Sequence, residues 1–339
     1  MQVGLQDEHA VAIPAEIRKE FQALASACGV FKLDRAHIAL TGADRVRWLN
    51  GMVTNNIRDL AVGQGIYAFL LNPQGKIQAD LYALNRGESI VVETETKQVE
   101  TILQIFDRYI IMDEVEVENL AGQVAVFGVA GPKSAEVLSE HASEHAKEMQ
   151  PLQVAKTEWN GFEITLVRGD NLCVPNYEIW ARAQDAQQLG NALLERAPEI
   201  HEQTLEIFRL ACGIPKFGVD IRQKDLPQET GQDRALNFNK GCYVGQEIVE
   251  RIRSRGAVHR MFTGFEVEGA MPSPGFRIQH EGKDVAELTS VATLPTAEGM
   301  RTVALGYGRR ELMAPDKEYV TGETKVRVAA LPFARIFSN

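Results

Sequence analysis

Cysteine is scarce in this chain of 339 residues: Cys28, Cys173, Cys212 and Cys242 are the four it has. They form no C-x-x-C pair and have no histidine at ligand spacing, which argues against a self-contained zinc or iron–sulfur site, so no metal ligands are expected. Free thiols in a reducing compartment are the expectation. Long hydrophobic runs are missing too, and none reaches membrane-spanning length. The opening MQVGLQDEHAVAIPAEIRKE places acids early and lacks the apolar core of a secretory signal. Nor is there a basic excess. With 36 Lys+Arg against 46 Asp+Glu the net charge is −10, a sign that repels a phosphate backbone. A cytoplasmic protein is expected, without direct nucleic-acid binding and without a membrane partner.

What is present is ordinary globular usage, 45% hydrophobic and 24% charged, in a chain long enough for two or three cores. Residues 14–28 carry Ile17, Phe21, Leu24 and Ala25 at helical spacing, with Gly29 as a stop. TGADRVRWLNGM reads as a short helix started by Thr41 or Asp44. YAFLLN and IQADLYAL flank the turn NPQGK, where Pro73 and Gly75 supply the hairpin chemistry. A strand at 90–93, a helix at 99–111 and strand character at Val115, Val117 and 124–129 follow. From GPKSAEVL the pattern restarts with a helix, strands at 162–167 and 177–181, and a helix near 184–196. A short helix at 205–212 ends at Gly213 and Pro215. Beyond residue 256, short strands alternate with Gly and Pro, as in a small all-β barrel or sandwich. The class expected is α+β rather than a doubly wound parallel sheet.

The most informative stretch is KGCYVGQE, residues 240–247, followed by IVERIRSRG. Two glycines bracket a thiol just before a helix. Gln246 and Glu247 fall in its first turn, Arg251, Arg253 and Arg255 towards its end, and Gly256 stops it. Cys242 is thus expected near a positive helix end with Lys240 close by, which favours the thiolate. A small buried cysteine in a tight turn is the plainer alternative. The thiol suits a nucleophile, a redox sensor, or one ligand of a cluster shared between two proteins, since one thiolate cannot hold a cluster alone.

KGCYVGQE resembles the signature of the YgfZ-type folate-binding proteins, relatives of the glycine-cleavage T-protein aminomethyltransferases. LTGADRVRWLNGMVTNNI, GIYAFLLNPQGKIQADLYAL, FRLACGIPKFGVDIRQKDLPQE and RGAVHR extend the similarity over nearly the whole chain. The resemblance implies two ferredoxin-like units and a C-terminal β-barrel around a central folate-binding opening. Residues 1–120 with 206–255 would form the first unit, 121–205 the second and 256–339 the barrel. It implies tetrahydrofolate or a derivative as cofactor, and iron–sulfur carrier or client proteins as partners. The function implied is accessory support of iron–sulfur clusters in other enzymes, tRNA-modifying ones included. Folate-dependent aminomethyl or methyl transfer is the alternative, and whether the chain is itself an enzyme stays open.

Residue by residue, Glu178 in NYEIW matches the pterin-holding carboxylate, chemically apt because an aminopyrimidinone edge offers adjacent N–H donors. An exposed strand residue is the plainer reading. Arg209 in FRLACGIP matches a folate-contacting arginine, with Glu206 or Asp220 as alternative partners. Asp80, beside Ala79 where aminomethyltransferases carry two adjacent aspartates, is either catalytic at folate's reactive nitrogens or a hairpin cap. Lys240, Gly241, Tyr243, Gly245 and Gln246 are expected to line the cofactor and Cys242 to act chemically. The arginines at 251, 253, 255 and 260 suit a polyglutamate tail or an acidic partner, or else a solvated face.

Overall fold

A computed structural model of the chain describes residues 13–139, 144–159, 161–256, 258–296 and 299–333. In order, helix α1 (Ala15–Ser26) leads to strands β1 (Gly29–Leu33) and β2 (Arg35–Thr41), then helix α2 (Arg45–Met52). Strands β3 (Gly65–Leu71), β4 (Ile77–Asn85) and β5 (Ile90–Glu95) precede helix α3 (Val99–Tyr109) and strands β6 (Glu116–Asn119) and β7 (Val124–Ala130). Next come α4 (Ser134–Ser139), β8 (Val154–Trp159), β9 (Phe162–Arg168), β10 (Asn176–Arg182), α5 (Ala186–Leu194), α6 (Glu202–Ala211) and α7 (Gln246–Arg255). The last strands are β11 (Arg260–Gly269), β12 (Arg277–His280), β13 (Lys283–Thr296), β14 (Gly299–Arg309), β15 (Glu318–Thr321) and β16 (Thr324–Ala329). Among the described residues no helix is long and apolar enough to cross a membrane.

The α+β class expected from the hairpins is what forms. Two compact units divide the chain: Ala23–Ile200 with Ile221–Val258, and Met1–Gln22 with His201–Asp220 and His259–Asn339. In the larger unit, two antiparallel five-stranded sheets run in the orders β3-β4-β5-β2-β6 and β1-β7-β10-β9-β8. Strand alternation gives each sheet two faces. One face of the first sheet, with Ile38, Leu40, Leu70, Ala79, Leu81 and Val92, packs under Trp48 and Leu49 of α2 and Ile102 and Phe106 of α3. The matching face of the second, with Val129, Ile164, Leu166 and Ile179, lies under Leu138 of α4 and Leu189 and Leu193 of α5. Their opposite faces meet through Leu84, Val91, Val126, Val167 and Trp180. That seam sets the two sheets face to face.

The smaller unit holds a six-stranded sheet, order β12-β13-β14-β11-β16-β15, around Phe265, Ile278, Leu288, Tyr319 and Val326. It curls until its end strands meet, Gln279 N donating to Thr321 Oγ1 at 2.9 Å. This is the barrel-like element expected after residue 256. Strands β1, β2, β8 and β15 had no counterpart in the sequence reading. Asp44 precedes α2 without capping it. Its carboxylate accepts instead from Arg47 Nε at 3.2 Å and Glu114 N at 3.0 Å. Of the N-terminal segment read as lacking a signal, residues 1–20, the first twelve lie outside the described residues.

The turn after β3 sits against the start of α7. Gly245, with φ +82°, precedes the helix, and a Cβ there would stand 2.6 Å from Asn72 O. Gly75, with φ +71°, meets Ile248 in the same way at 2.7 Å. The close approach that the motif's second glycine implied is therefore made by the chain's own hairpin. Gly245→Ala is expected to lower unfolding stability in urea by on the order of 2–3 kcal/mol, from left-handed strain plus the clash. Gly256→Ala, at φ +92° with nothing within 4 Å, should cost only about 1 kcal/mol. Equal losses would show that the hairpin contact contributes nothing.

Candidate functional site

The facing sheets do more than bury hydrocarbon. Beside the apolar seam each presents polar side chains at alternate strand positions: Arg35 and His37 on β2, Asp80 and Tyr82 on β4, Glu93 on β5, Glu178 and Trp180 on β10. Asp80 is not a hairpin cap; it lies within β4 opposite Phe69. Its carboxylate accepts from Tyr67 Oη and from Gln98 Nε2, both at 2.7 Å, while Asp80 N donates to Gln98 Oε1 at 3.1 Å. Burial raises its pKa above the ordinary aspartate range, although Gln98, Tyr67 and Arg35 pull the other way. Tyr67 packs against Tyr82 with ring centres 5.0 Å apart, and the Arg234 guanidinium lies 4.5 Å from the Tyr67 ring centre.

Several contacts join the sheets. Arg234 pairs with Asp170, whose carboxylate also accepts from Tyr82 Oη at 3.2 Å. Arg86 reaches Thr165 Oγ1 at 3.3 Å. Within the first sheet Arg35 Nε stands 3.2 Å from Glu93 Oε1, and within the second Trp180 Nε1 donates to Glu178 Oε2 at 3.1 Å. Burial lifts the Glu93 carboxyl well above the carboxylate range, helped by the neighbouring Glu178 and opposed by Arg35. The Arg35 guanidinium is kept charged against burial by Glu93, Glu178, Tyr82 and Asp80. His37 packs against Trp180 with ring centres 4.1 Å apart and planes tilted by 54°, and both its ring nitrogens are buried with no hydrogen-bond partner among the described residues.

The 240–247 segment divides by role. Cys242 is exposed, and all four cysteines are free thiols as expected. Lys240 is buried and turned inward, its Nζ donating to Asn50 O at 2.5 Å, Val53 O at 2.6 Å and Asn55 O at 2.7 Å. It ties the loop to the end of α2, whose last carbonyls lack intrahelical partners. Burial, then the Arg58 charge, brings its pKa down to about 7. Tyr243 is buried, with the Lys240 ammonium 4.9 Å from its ring centre. A Cβ on Gly241 would touch the Arg58 guanidinium at 3.2 Å, and Gln246 opens α7. These residues brace the loop that carries the thiol.

Arg209 lies in the smaller unit with its guanidinium committed there. It binds Glu206 at 2.5 and 3.0 Å, Asp220 Oδ2 at 2.6 Å, Ile214 O at 2.5 Å and Ser290 Oγ at 3.1 Å. Of the basic run, Arg253 lies 3.7 Å from Glu250 and over the Phe238 ring, and the Arg255 side chain lies outside the described residues. Glu16, Glu20 and His201 form a grouping with ligand-type atoms within 4.8 Å. Glu20 serves the start of α6, accepting from His201 N at 3.0 Å and Thr204 Oγ1 at 2.5 Å.

Sequence reasoning found Asp80 and Glu178 but missed Arg35, His37, Glu93, Tyr67, Tyr82, Trp180, Asp170 and Arg234. The available signal was polar residues at alternate positions in RAHIALT and IVVETE, strands whose other positions are apolar. Burial pushes the His37 pKa down to about 3 from 6.5, helped by Arg35 and Arg86. A depressed folded value means stability present above the unfolded pKa and lost as pH falls below 6.5. Urea unfolding should therefore show His37→Phe escaping a loss of about 2 kcal/mol that the unaltered protein suffers between about pH 6.5 and pH 5. Identical acid profiles would mean that His37 does not govern it.

Residues 8–240 match the family described as the GCVT N-terminal domain. An aminomethyltransferase of Rubrobacter xylanophilus is 26% identical over 327 residues, covering 95% of this chain and 87% of its own. One from Bacillus cytotoxicus is 24% identical over 339 residues, covering 94% and 88%. The crystal structure of the glycine cleavage system aminomethyltransferase T from Bartonella henselae superposes with a TM-score of 0.83 over 94% of this chain and 90% of that one, at 20% identity, a likeness of fold. Well over half the sequence lies within the family match, and the chain belongs to the GCVT N-terminal domain family.

Proposed function

We propose that the chain binds tetrahydrofolate or a derivative against the facing sheets of the larger unit, and presents Cys242 to partner proteins in support of their iron–sulfur clusters. The observation that carries the reading is the set Asp80, Glu93 and Glu178 held beside Tyr67, Tyr82 and Trp180 on those faces. The donor set fits the ligand. A pterin's amide edge offers paired N–H donors, which Glu178 accepts, and the aromatic rings suit its flat faces. The orphaned His37 nitrogens add polar capacity that the fold itself leaves unused. Bound tetrahydrofolate would supply the nitrogens that carry a one-carbon unit. Asp80, its pKa raised and its carboxylate held by Tyr67 and Gln98, can hold or give a proton there.

The accessory part of the reading rests on the loop. Lys240 and Gly245 fasten it at both ends while the sulfur between them stays exposed, an arrangement for meeting another protein. Iron–sulfur carriers or client enzymes, tRNA-modifying ones included, are the proposed partners in the cytoplasm. This is the YgfZ-type reading, and it leaves Arg209 a structural ion pair. One observation favours the alternative, aminomethyl transfer: Asp80 reaches the facing surface although Ala79 replaces the neighbouring aspartate.

Titration with folinic acid should quench tryptophan fluorescence through Trp180, and Glu178→Gln should weaken binding at least about tenfold, the worth of a hydrogen bond to a charged group. No saturable binding would sink the folate reading. In a strain lacking the protein, Cys242→Ala should fail to restore the activities of cluster enzymes; full restoration would remove the thiol from the mechanism. Rapid formation of methylenetetrahydrofolate and ammonia from tetrahydrofolate and an aminomethyl donor would select the transferase instead.

A further inference from the structure

We infer that Arg234 is a specificity-determining residue of this site: its guanidinium and the Tyr82 hydroxyl form a receptor for a carboxylate of the ligand, and Asp170 is the internal carboxylate that fills it until the ligand arrives. The inference deepens the folate-site reading and rests on it for the identity of the ligand. Arg234 pairs with Asp170 Oδ2, and Tyr82 Oη donates to Asp170 Oδ1 at 3.2 Å, so one carboxylate is held by two donors. Tyr82 belongs to β4 of the first sheet, and Asp170 follows β9 of the second. The same guanidinium lies 4.5 Å from the Tyr67 ring centre, and Tyr67 Oη in turn donates to Asp80 at 2.7 Å. The receptor therefore adjoins the residues proposed to meet folate.

Three features make Asp170 replaceable. Its ion pair is partly open to water, with the Arg234 side chain 36% exposed and that of Asp170 18%, and a pair in that setting holds weakly. The Arg209–Asp220 pair, at 13% and 0%, is the fixed kind. Second, the guanidinium spends Nη1 on Asp170 and Nε on Gln232 Oε1 at 3.2 Å, which leaves Nη2 unpartnered among the described residues. A ligand carboxylate that takes Nη1 and Nη2 together gains a bidentate contact that Asp170, with its other oxygen on Tyr82, does not make. Third, the main chain on both sides is fixed, so the exchange needs only side-chain rotation. Asn55 Nδ2 donates to Arg234 O at 2.8 Å and to Tyr67 O at 2.9 Å. On either side of Asp170, Gly169 N donates to Asn176 O at 2.8 Å and Asn171 N to Asn176 Oδ1 at 3.1 Å. The charge balance gives the exchange its purpose. Asp80, Glu93 and Glu178 offer an anion nothing, and Arg35 is matched to Glu93. A ligand that carries carboxylates needs a further cation at these faces, and Arg234 supplies one within reach of solvent.

The test is calorimetric titration of the full-length protein with folinic acid and with a tetrahydropterin that lacks the benzoylglutamate tail. Arg234→Gln should weaken folinic acid binding at least about tenfold, the worth of a hydrogen bond to a charged group, and leave the tail-free pterin within about twofold. Asp170→Asn keeps the shape and removes the competing charge. It should tighten folinic acid binding by up to about fivefold, the ceiling for one partly exposed ion pair, and leave the tail-free pterin unchanged. Added to Arg234→Gln, it should gain nothing. An ion pair that only braces the fold would shift both ligands in the same sense. The inference is overturned if Arg234→Gln affects the two ligands alike or affects neither, or if Asp170→Asn weakens folinic acid binding. Glu178→Gln separates it from the folate reading: folinic acid binding indifferent to Glu178 yet lost in Arg234→Gln sinks the pterin assignment and leaves the carboxylate receptor standing. If neither ligand binds, 4-aminobenzoylglutamate decides, since binding that needs Arg234 upholds the receptor and the lack of it overturns the inference.

Discussion

An arginine and three acids enclosed between two sheets set the terms for the larger unit. Glu93 is buried and Arg35, Asp80 and Glu178 are half-buried, and each is tolerated because the others and nearby N–H and O–H groups surround it. A cluster of this kind contributes little net stability compared with a hydrocarbon core of the same volume. Stability comes from elsewhere: the helix-covered outer faces and the seam of Leu84, Val91, Val126, Val167 and Trp180. The apolar parts hold the sheets in place, so the polar part need not contribute to stability. Polar groups kept between sheets at such a cost point to function more strongly than an acid on an outer surface would.

Local rules made much of the architecture legible. Pro73 and Gly75 encode the hairpin turn, and the stripe Val99, Ile102 and Phe106 encodes α3, because each depends on near neighbours in sequence. Strand β2 was passed over. In RAHIALT the polar Arg35 and His37 alternate with apolar residues, a pattern shared by any strand with one wet face. Alternation shows that two faces differ and is silent on what covers the polar one. Here another sheet does, so a stripe that reads as solvated lies between the two sheets. For the same reason Glu178 reads nearly as well as an exposed strand residue.

The motif loop shows the opposite difficulty. Lys240 read as a charge beside the thiol, yet its ammonium meets three carbonyls some 190 positions earlier in the chain. Gly245 read as room for a ligand and is room for Asn72 O. Arg209 is expected to meet folate, with Glu206 or Asp220 as the alternative, and it is those two carboxylates that its guanidinium meets. In each case the residue type announced its physical need correctly. The partner that meets it depends on long-range packing, which no spacing rule encodes.

The pleat also bears on the chemistry. The loss of an aspartate at position 79 argues against aminomethyl transfer only if both members of an adjacent pair reach the reacting centre. Within β4 they cannot, because successive side chains point to opposite faces. Ala79 is fully buried in the core beneath α2 and α3, where a carboxylate would lie among hydrocarbon, whereas Asp80 faces the second sheet and holds Tyr67 and Gln98. One carboxylate of such a pair therefore reaches the facing sheets in this chain, and it is present. What distinguishes an accessory protein from a transferase must then lie outside that pair, and the KGCYVGQE loop, with its braced and exposed sulfur, is where the sequence offers a distinct chemical group.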